Sequence, residues 1–364
     1  MKEIKKMKVL EFMLVQIEEL KSVNRLGTAE NYRTVHNSFE RYLKQTKRKD
    51  LPFAALTSEI LVSYETWLHN NGISRNSSSC YLRCLRACYN KYLKMVMYVS
   101  PLDKIYQVTR RKNFTSHPLS DLCSRSLFNN VYTGVAPTPK RAITPEEIAF
   151  LAKFDIRTAL IQSGKNPDRK GFNKIVERLS RSRDFFIFCF YSRGLTFVDL
   201  AYLRLADIHG DTIRYYRKKT GQQIIIKIES EMRTIMEKHR TPHPETSPYL
   251  FPILSSVNPA EAHQQYRHAI SRYNIDLHTL THLLKISHPQ DAWDSKLTSY
   301  VSRHTWATCA HQCNVPISII SQAMGHTSIH TTEIYLKSFE QSVIDDANHQ
   351  LIEKIFSCNS REEL

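Results

Sequence analysis

Residues 211–228 read DTIRYYRKKTGQQIIIKI, and here the chain changes period. Two short runs rich in Ile and Tyr flank Lys218, Lys219, Thr220 and Gly221, a reversal with a basic tip. β-Branched and aromatic residues fit a pleated, half-buried surface, and glycine supplies the backbone freedom of a tight turn. The stretch therefore predicts a β-hairpin. Before and after it, apolar residues recur at helical spacing. The fold class that follows is mainly α with a small antiparallel β-sheet.

At 364 residues the chain has length for two domains, each with its own core. Its charge is unevenly spread. Lys and Arg number 51 against 35 Asp and Glu, and residues 1–140 hold 23 of those bases against 11 acids. A basic N-terminal part joined to a near-neutral remainder points to a polyanion-binding module attached to something else. Nucleic acid fits better than a membrane. No apolar run approaches the roughly 20 residues of a membrane span, and the charged N-terminus lacks a signal peptide's apolar core. Cys80, Cys84 and Cys88 share a helix face, and Cys309, His311 and Cys313 lie close in sequence. Neither group has the paired spacing of a structural zinc site, so the thiols read as small, reduced, buried apolar groups, with no metal and no nucleotide cofactor.

Working outward toward the N-terminus, Val9, Leu10, Met13, Leu14, Ile17 and Leu20 keep helical spacing. Thr28 reads as the N-cap of a second helix carrying Tyr32, Val35, Phe39 and Leu43, with Asn31 near the capping-box position. Two more helices follow over 57–69 and 76–98. The last places Arg75, Arg83, Arg86, Lys91 and Lys94 among aromatic and small residues, and their clustered charge suits contact with a DNA backbone. Pro118, Pro137 and Pro139 mark 113–141 as a linker. Thr144-Pro145-Glu146-Glu147 starts a further helix, with proline at its first position and acids in its first turn. Residues 174–192 form another, apolar enough at its DFFIFCFY end to be central. Beyond a Pro/His-rich loop at 241–248 the chain reads as helical, with Gly325 ending the VPISIISQAM helix.

Four separated pieces belong together: YSRGLTFVDLAYLRLADI (191–208), the Lys219 hairpin tip, LTSYVSRHTWAT (297–308) and GHTSIHTTEIYLKSF (325–339). At these pieces the chain resembles the tyrosine recombinase, or phage integrase, family. Arg303 opens RHTWAT, Gly325-His326 follows, and Tyr335 stands nine residues after His326, all in the family's order and spacing. The resemblance covers roughly 180–340 and is looser over the N-terminal helices, which look like the family's SAM-like core-binding domain. It implies a core-binding domain at 1–112, a linker at 113–141, a catalytic domain at 142–340 and a helical tail at 341–364.

The resemblance also implies roles. Tyr335 matches the nucleophile, Arg303 the second phosphate-binding arginine, and His326 the histidine that hydrogen-bonds the scissile phosphate. Lys219 matches the lysine that protonates the leaving 5′-oxygen. Fixed cations and hydrogen-bond donors stabilise charge on a phosphoryl transition state without a metal, and a phosphotyrosyl ester conserves the energy of the broken bond. Two positions depart from the pattern. Aligning the family's R-x-x-E acid with Asp199 puts Thr196 in the first arginine's place, and Arg193, just before Gly194, is the expected substitute. Tyr300 stands where the family usually has histidine; a phenol can donate to phosphate but is a poor proton shuttle near neutral pH.

The implied function is an integrase or invertase of a mobile element, cleaving and rejoining DNA through a 3′-phosphotyrosyl intermediate. The implied partners are double-stranded DNA with specific sites, further copies of the chain in a tetramer on paired sites, and accessory DNA-bending proteins. The implied location is the bacterial cytoplasm at the nucleoid. The threonines before Tyr335 are expected to open its helix. The apolar stripe from Phe339 through Val343, Ile344, Ala347, Leu351, Ile355 and Phe356 suits intramolecular packing or docking on a neighbouring subunit. Three other readings stay open: a type IB topoisomerase-like relaxer, a sequence-specific DNA-binding protein with a decayed site, and a basic RNA-binding protein.

Overall fold

The computed structural model describes residues 7–98, 126–136, 142–242, 244–287 and 296–336, with the side chains of 97–98 and 334–336 left aside. The apolar stripe beginning at Phe339 and the three linker prolines lie outside these residues. The chain divides into two compact units, Met1–Thr138 and Pro139–Leu364.

Among the described residues the first unit is built on four helices: α1 (Val9–Ser22), α2 (Leu26–Gln45), α3 (Ser58–Asn70) and α4 (Arg75–Tyr98). Their apolar faces meet in one core that includes Phe12, Ile17, Phe39, Tyr42, Tyr64, Leu82 and Leu85. Aromatic rings dominate it: Tyr42 lies 5.1 Å from Tyr64, and Phe53 stacks on Tyr92 at 4.4 Å. Each such side chain contributes about 1.5–3 kcal/mol on burial.

Helix α2 starts earlier than Thr28, contrary to the capping signal. Asn24 takes a left-handed φ of 56°, and the N–H of Arg25 donates to the Leu20 carbonyl at 2.8 Å. The chain thus reverses within three residues, Arg25 takes the N-cap position without a side-chain bond, and Thr28 falls inside the first turn. Residues 126–136, within the stretch read as linker, pack on this unit, with Phe128 and Val131 joining its core.

The second unit is held by α7 (Phe172–Tyr191), whose Phe186, Phe188 and Cys189 are buried. Around it pack α5 (Pro145–Lys153), α6 (Ile156–Gln162), α9 (Ser230–His239), α10 (Pro259–Ser287) and α11 (Val301–Gln312). Helix α5 has its capping box. The Glu147 N–H donates to Thr144 Oγ1 at 3.2 Å, and the Thr144 N–H donates to Glu147 Oε2 at 2.7 Å, an arrangement worth about 1 kcal/mol. Between α7 and α9 lie the short α8 (Phe197–Tyr202) and an antiparallel sheet in the order β1-β2-β3. Its strands are Ile208–His209, Thr212–Tyr216 and Gln223–Lys227, with Ile213 opposite Ile226 and Tyr215 opposite Ile224. Side chains alternate across a strand, so Ile213, Tyr215, Ile224 and Ile226 are buried while Arg214, Tyr216 and Ile225 face outward. Helices α12 (Ile317–Ala323) and α13 (Ile329–Leu336) end the described chain. No helix among the described residues is long and apolar enough to cross a membrane.

Candidate active site

Arg303 is the centre of the site. It sits in the first turn of α11 and is only 3% exposed. Its guanidinium donates to three acceptors from two parts of the chain, the Gly194 turn and the Gly325 turn. Nη1 reaches the Gly194 carbonyl at 2.7 Å, and Nη2 reaches the Met324 carbonyl at 2.6 Å and His326 Nε2 at 3.1 Å. An arginine fork can do this because its donors are fixed in one plane. Gly194 makes the close approach possible. It adopts a φ of +71°, and a Cβ there would lie 3.0 Å from Arg303 Cγ and 3.1 Å from Arg303 Cα.

His326 follows the reversal at Gly325, whose φ of +63° ends α12 as the sequence indicates. Arginine has no acceptor, so Nε2 must carry a lone pair to receive Arg303. The ring proton then resides on Nδ1, which donates to Thr332 Oγ1 at 2.8 Å. Burial, followed by the charges of Arg303, Arg217 and Lys219, lowers the His326 pKa to about 4. The imidazole is therefore neutral near pH 7, and basic side chains converge on it. A polar cleft of about 380 Å³ opens beside it, lined by Gln222, Gln223, Ser321, Gln322 and Thr327.

The hairpin is tied to this loop by Arg217, which sequence reasoning did not single out. It is 4% exposed and donates from Nη1 to the Gly325 carbonyl at 2.8 Å, while Nε lies 3.8 Å from Asp199 Oδ2. The signal was available, since Ile213, Tyr215 and Arg217 follow the inward period of two. The two hairpin lysines differ. Lys218 rests its Nζ 4.0 Å above the Tyr202 ring, and burial lowers its pKa. Lys219 is exposed at the tip and near enough to depress His326.

Thr196, in the place of the family's first arginine, is the N-cap of α8. It donates to Asp199 Oδ2 at 2.6 Å and accepts from the Asp199 N–H at 3.4 Å. Asp199 in turn accepts from the Lys218 N–H at 2.8 Å, which places the hairpin. Arg193 is half-buried with a left-handed φ of 57°, and its Nη1 donates to the Ile225 carbonyl at 3.3 Å. Its neighbour Gly194 is the residue that touches Arg303.

Tyr335 lies on α13, three residues after Thr332. That helix opens at Ile329, so Thr331 and Thr332 stand inside it; the expectation that they open it is corrected. Thr332 is fully buried instead, against His326. Tyr300 takes the N-cap position of α11, is 43% exposed, and sets its ring 5.4 Å from that of His304.

The five basic residues of α4 belong to the first unit. Arg75 lies 4.1 Å over the Tyr132 ring, Arg86 donates to Thr133 Oγ1 at 3.2 Å, and Lys91 bonds Gln16 Oε1. Arg83 is exposed and Lys94 half-buried. Burial pushes the Cys84 and Cys88 thiols up to about 12, as for apolar packing groups.

Comparison with known proteins agrees with this architecture. Residues 8–104 match the phage integrase SAM-like domain and residues 168–342 match the phage integrase family. The fold is similar to an integrase of the Tn1549 transposon in complex with transposon right-end DNA, at 14% identity and a TM-score of 0.54, covering 95% of this chain and 99% of that one. It is also similar to the XerH site-specific recombinase bound to a palindromic difH substrate, at 13% identity and a TM-score of 0.50, covering 93% and 86%. No curated protein sequence matches. Helical SAM-like domain, hairpin, RHTWAT helix and Gly-His turn occur together in one order, and the chain belongs to the phage integrase family of tyrosine recombinases.

Proposed function

We propose that this site-specific recombinase cleaves duplex DNA with Tyr335 as nucleophile and with Arg193, Lys219, Arg303 and His326 around the scissile phosphate. Tyr335 gives its phenolic proton to solvent, its oxygen attacks phosphorus, a 3′-phosphotyrosyl bond forms, and the bond from phosphorus to the 5′-oxygen breaks. Lys219 supplies the proton that the leaving 5′-oxygen takes up. A 5′-hydroxyl of another strand then attacks the same phosphorus and releases Tyr335. Arg303 and Arg193 offset the charge that accumulates on the phosphoryl oxygens; losing one such preorganised donor typically costs about 10²–10³ in rate. Tyr300 donates a hydrogen bond at most.

The observation that carries this reading is that Arg303 closes on the half-buried imidazole of His326 and Arg217 on the adjoining Gly325 carbonyl, next to the helix that bears Tyr335. Paired-site chemistry would require further copies of the chain, and we propose a tetramer on two DNA sites within an element that the protein integrates, excises or inverts. The basic first unit, through α4, supplies backbone contacts at those sites.

The test is a nicked suicide duplex carrying the DNA that flanks the gene. The wild-type chain is expected to form a covalent protein–DNA adduct, and Tyr335→Phe none, while both retain the duplex in a gel shift. Specific binding without any wild-type adduct would overturn the enzymatic reading. Relaxation of supercoiled plasmid without recombinant products would replace it with a topoisomerase.

A further inference from the structure

Thr332 lies outside the set of residues that would touch DNA, yet its side chain is fully buried and its hydroxyl meets His326. The two ring nitrogens of that histidine face different partners. Nε2 receives Arg303 at 3.1 Å, and Nδ1 lies 2.8 Å from Thr332 Oγ1. Only one neutral tautomer satisfies both contacts, because arginine can only donate. Nδ1 is protonated and Thr332 accepts. The second nitrogen of a functional histidine generally sets what the first can do.

We infer that Thr332 is a positioning residue, which holds His326 in the Nδ1–H tautomer and ties that histidine to the helix of the nucleophile. The inference rests on the active site proposed above. Its consequence concerns the arrival of a phosphodiester. With Nδ1–H engaged by Thr332, Nε2 is the nitrogen left to face the Arg303 side, where an anion would be held. The anion's charge opposes that of the surrounding bases, so Nε2 can take up a proton there and donate to a phosphoryl oxygen. The hydroxyl of Thr332 accepts from Nδ1 in both states, so the ring need not turn over during the reaction.

The second consequence is mechanical. Thr332 and Tyr335 are three residues apart on α13, neighbours on one face of a helix. A hydrogen bond from His326 to Thr332 therefore fixes the rotation of the nucleophile's helix about its own axis. The imidazole thus connects the arginine that would bind phosphate with the segment that would deliver the attacking oxygen. This serves the arrangement that Arg303 begins, with Gly194, Met324 and His326 gathered on one guanidinium.

Two measurements test it. The first needs no DNA. Long-range proton–nitrogen correlation on the full-length chain with ¹⁵N-labelled histidine, assigned by comparison with His326→Gln, reads the tautomer near pH 7. Protonated Nδ1 and bare Nε2 are expected; a protonated Nε2 would overturn the inference whatever the protein does to DNA. The second uses the nicked duplex described above with Thr332→Val and Thr332→Ser. Partners that orient metal-bound histidines are commonly worth about 10–100-fold; an effect of that order is expected here, so Thr332→Val should slow adduct formation by about that much and Thr332→Ser should restore most of it. Loss of an acceptor for Nδ1–H disfavours the imidazolium. Accordingly, the limb of the pH profile that His326→Gln removes should move to lower pH in Thr332→Val and return in Thr332→Ser. A Thr332→Val chain with the wild-type rate and pH profile would refute the assignment. A wild-type chain that makes no adduct would refute the active-site reading instead, leaving the tautomer measurement to judge Thr332.

Discussion

Around Asp184 and around His326 the second unit gathers three basic side chains each, but the first group closes on a single carboxylate and the second on an imidazole. Asp184 accepts from Arg183 at 2.8 Å, from Lys238 at 2.8 Å and from His239 at 2.8 Å. These contacts outweigh burial and hold its carboxyl well below the usual carboxylate range. The cluster joins α7 to the end of α9 and gathers its cations on one carboxylate. At His326 the neighbouring charges act in the same direction, each opposing a proton on the ring. Arg303 is held there by main-chain carbonyls as well as by the imidazole. A carboxylate that collects cations is an internal fastener. Cations collected on a neutral ring beside a polar cleft build the positive potential an anion would find.

Substitution should separate the two clusters. Arg303→Lys keeps the charge but cannot span two carbonyls and a ring nitrogen with one ammonium. Adduct formation is expected to fall by about 10²–10³, measured with the nicked duplex under single-turnover conditions; a change within about twofold would erase the distinction. Asp184→Asn should act on stability instead. Removing one partner of a buried charged group typically costs about 3–5 kcal/mol, and the half-exposed Lys238 puts this case at the low end. Denaturant unfolding should register that loss, while the cleavage rate per folded molecule stays at the wild-type value.

The smallest effect lies in the pH dependence of stability. The folded His326 pKa is about 4 against an ordinary 6.5, so the unfolded chain takes up the proton first. The stability tied to the neutral ring is complete above about pH 6.5 and is lost as pH falls toward about 4. Asp184, depressed below its ordinary 3.8, holds its contribution above that value and loses it only as pH falls further. Thermal melts across this range should show two windows, the upper one flattened by His326→Gln and the lower one by Asp184→Asn. A variant that flattened both windows at once would mean that the clusters are coupled.

Local chemistry was the legible part of the fold. The capping box at Thr144 and Glu147 needs four consecutive residues, and the hairpin needs a change of period and a turn, so both can be read directly. Thr28 misled because Asn24, in a left-handed conformation, let α2 begin two residues sooner than its capping signal. The motif residues Arg303 and His326 could be placed by spacing, and they do touch. The period of two turns Arg217 inward, but spacing does not name its partner, nor that of Thr332. Arg217 is buried because Gly325 offers a carbonyl 108 residues away, and no pattern around Arg217 itself names that acceptor. Thr332 looked like a helix opener because threonine usually favours that place, and its tertiary bond to His326 overrides the local preference. Thr196 illustrates the converse. Its departure from the family pattern is visible in sequence, but only the structure supplies its work as a cap.

The nine-residue interval from His326 to Tyr335 acquires a meaning beyond distance from the helix that fills most of it. Each residue of an α-helix advances about 100° and about 1.5 Å. An insertion of one residue between Thr332 and Tyr335 would advance the tyrosine only about 1.5 Å along the axis, yet swing it through more than a quarter of a circle. Four inserted residues would come closest to restoring its bearing, displaced along the axis by about a turn. The interval is thus an angular setting clamped at Thr332, and lineages of this chain should tolerate changes of length before Ser328 far better than within α13.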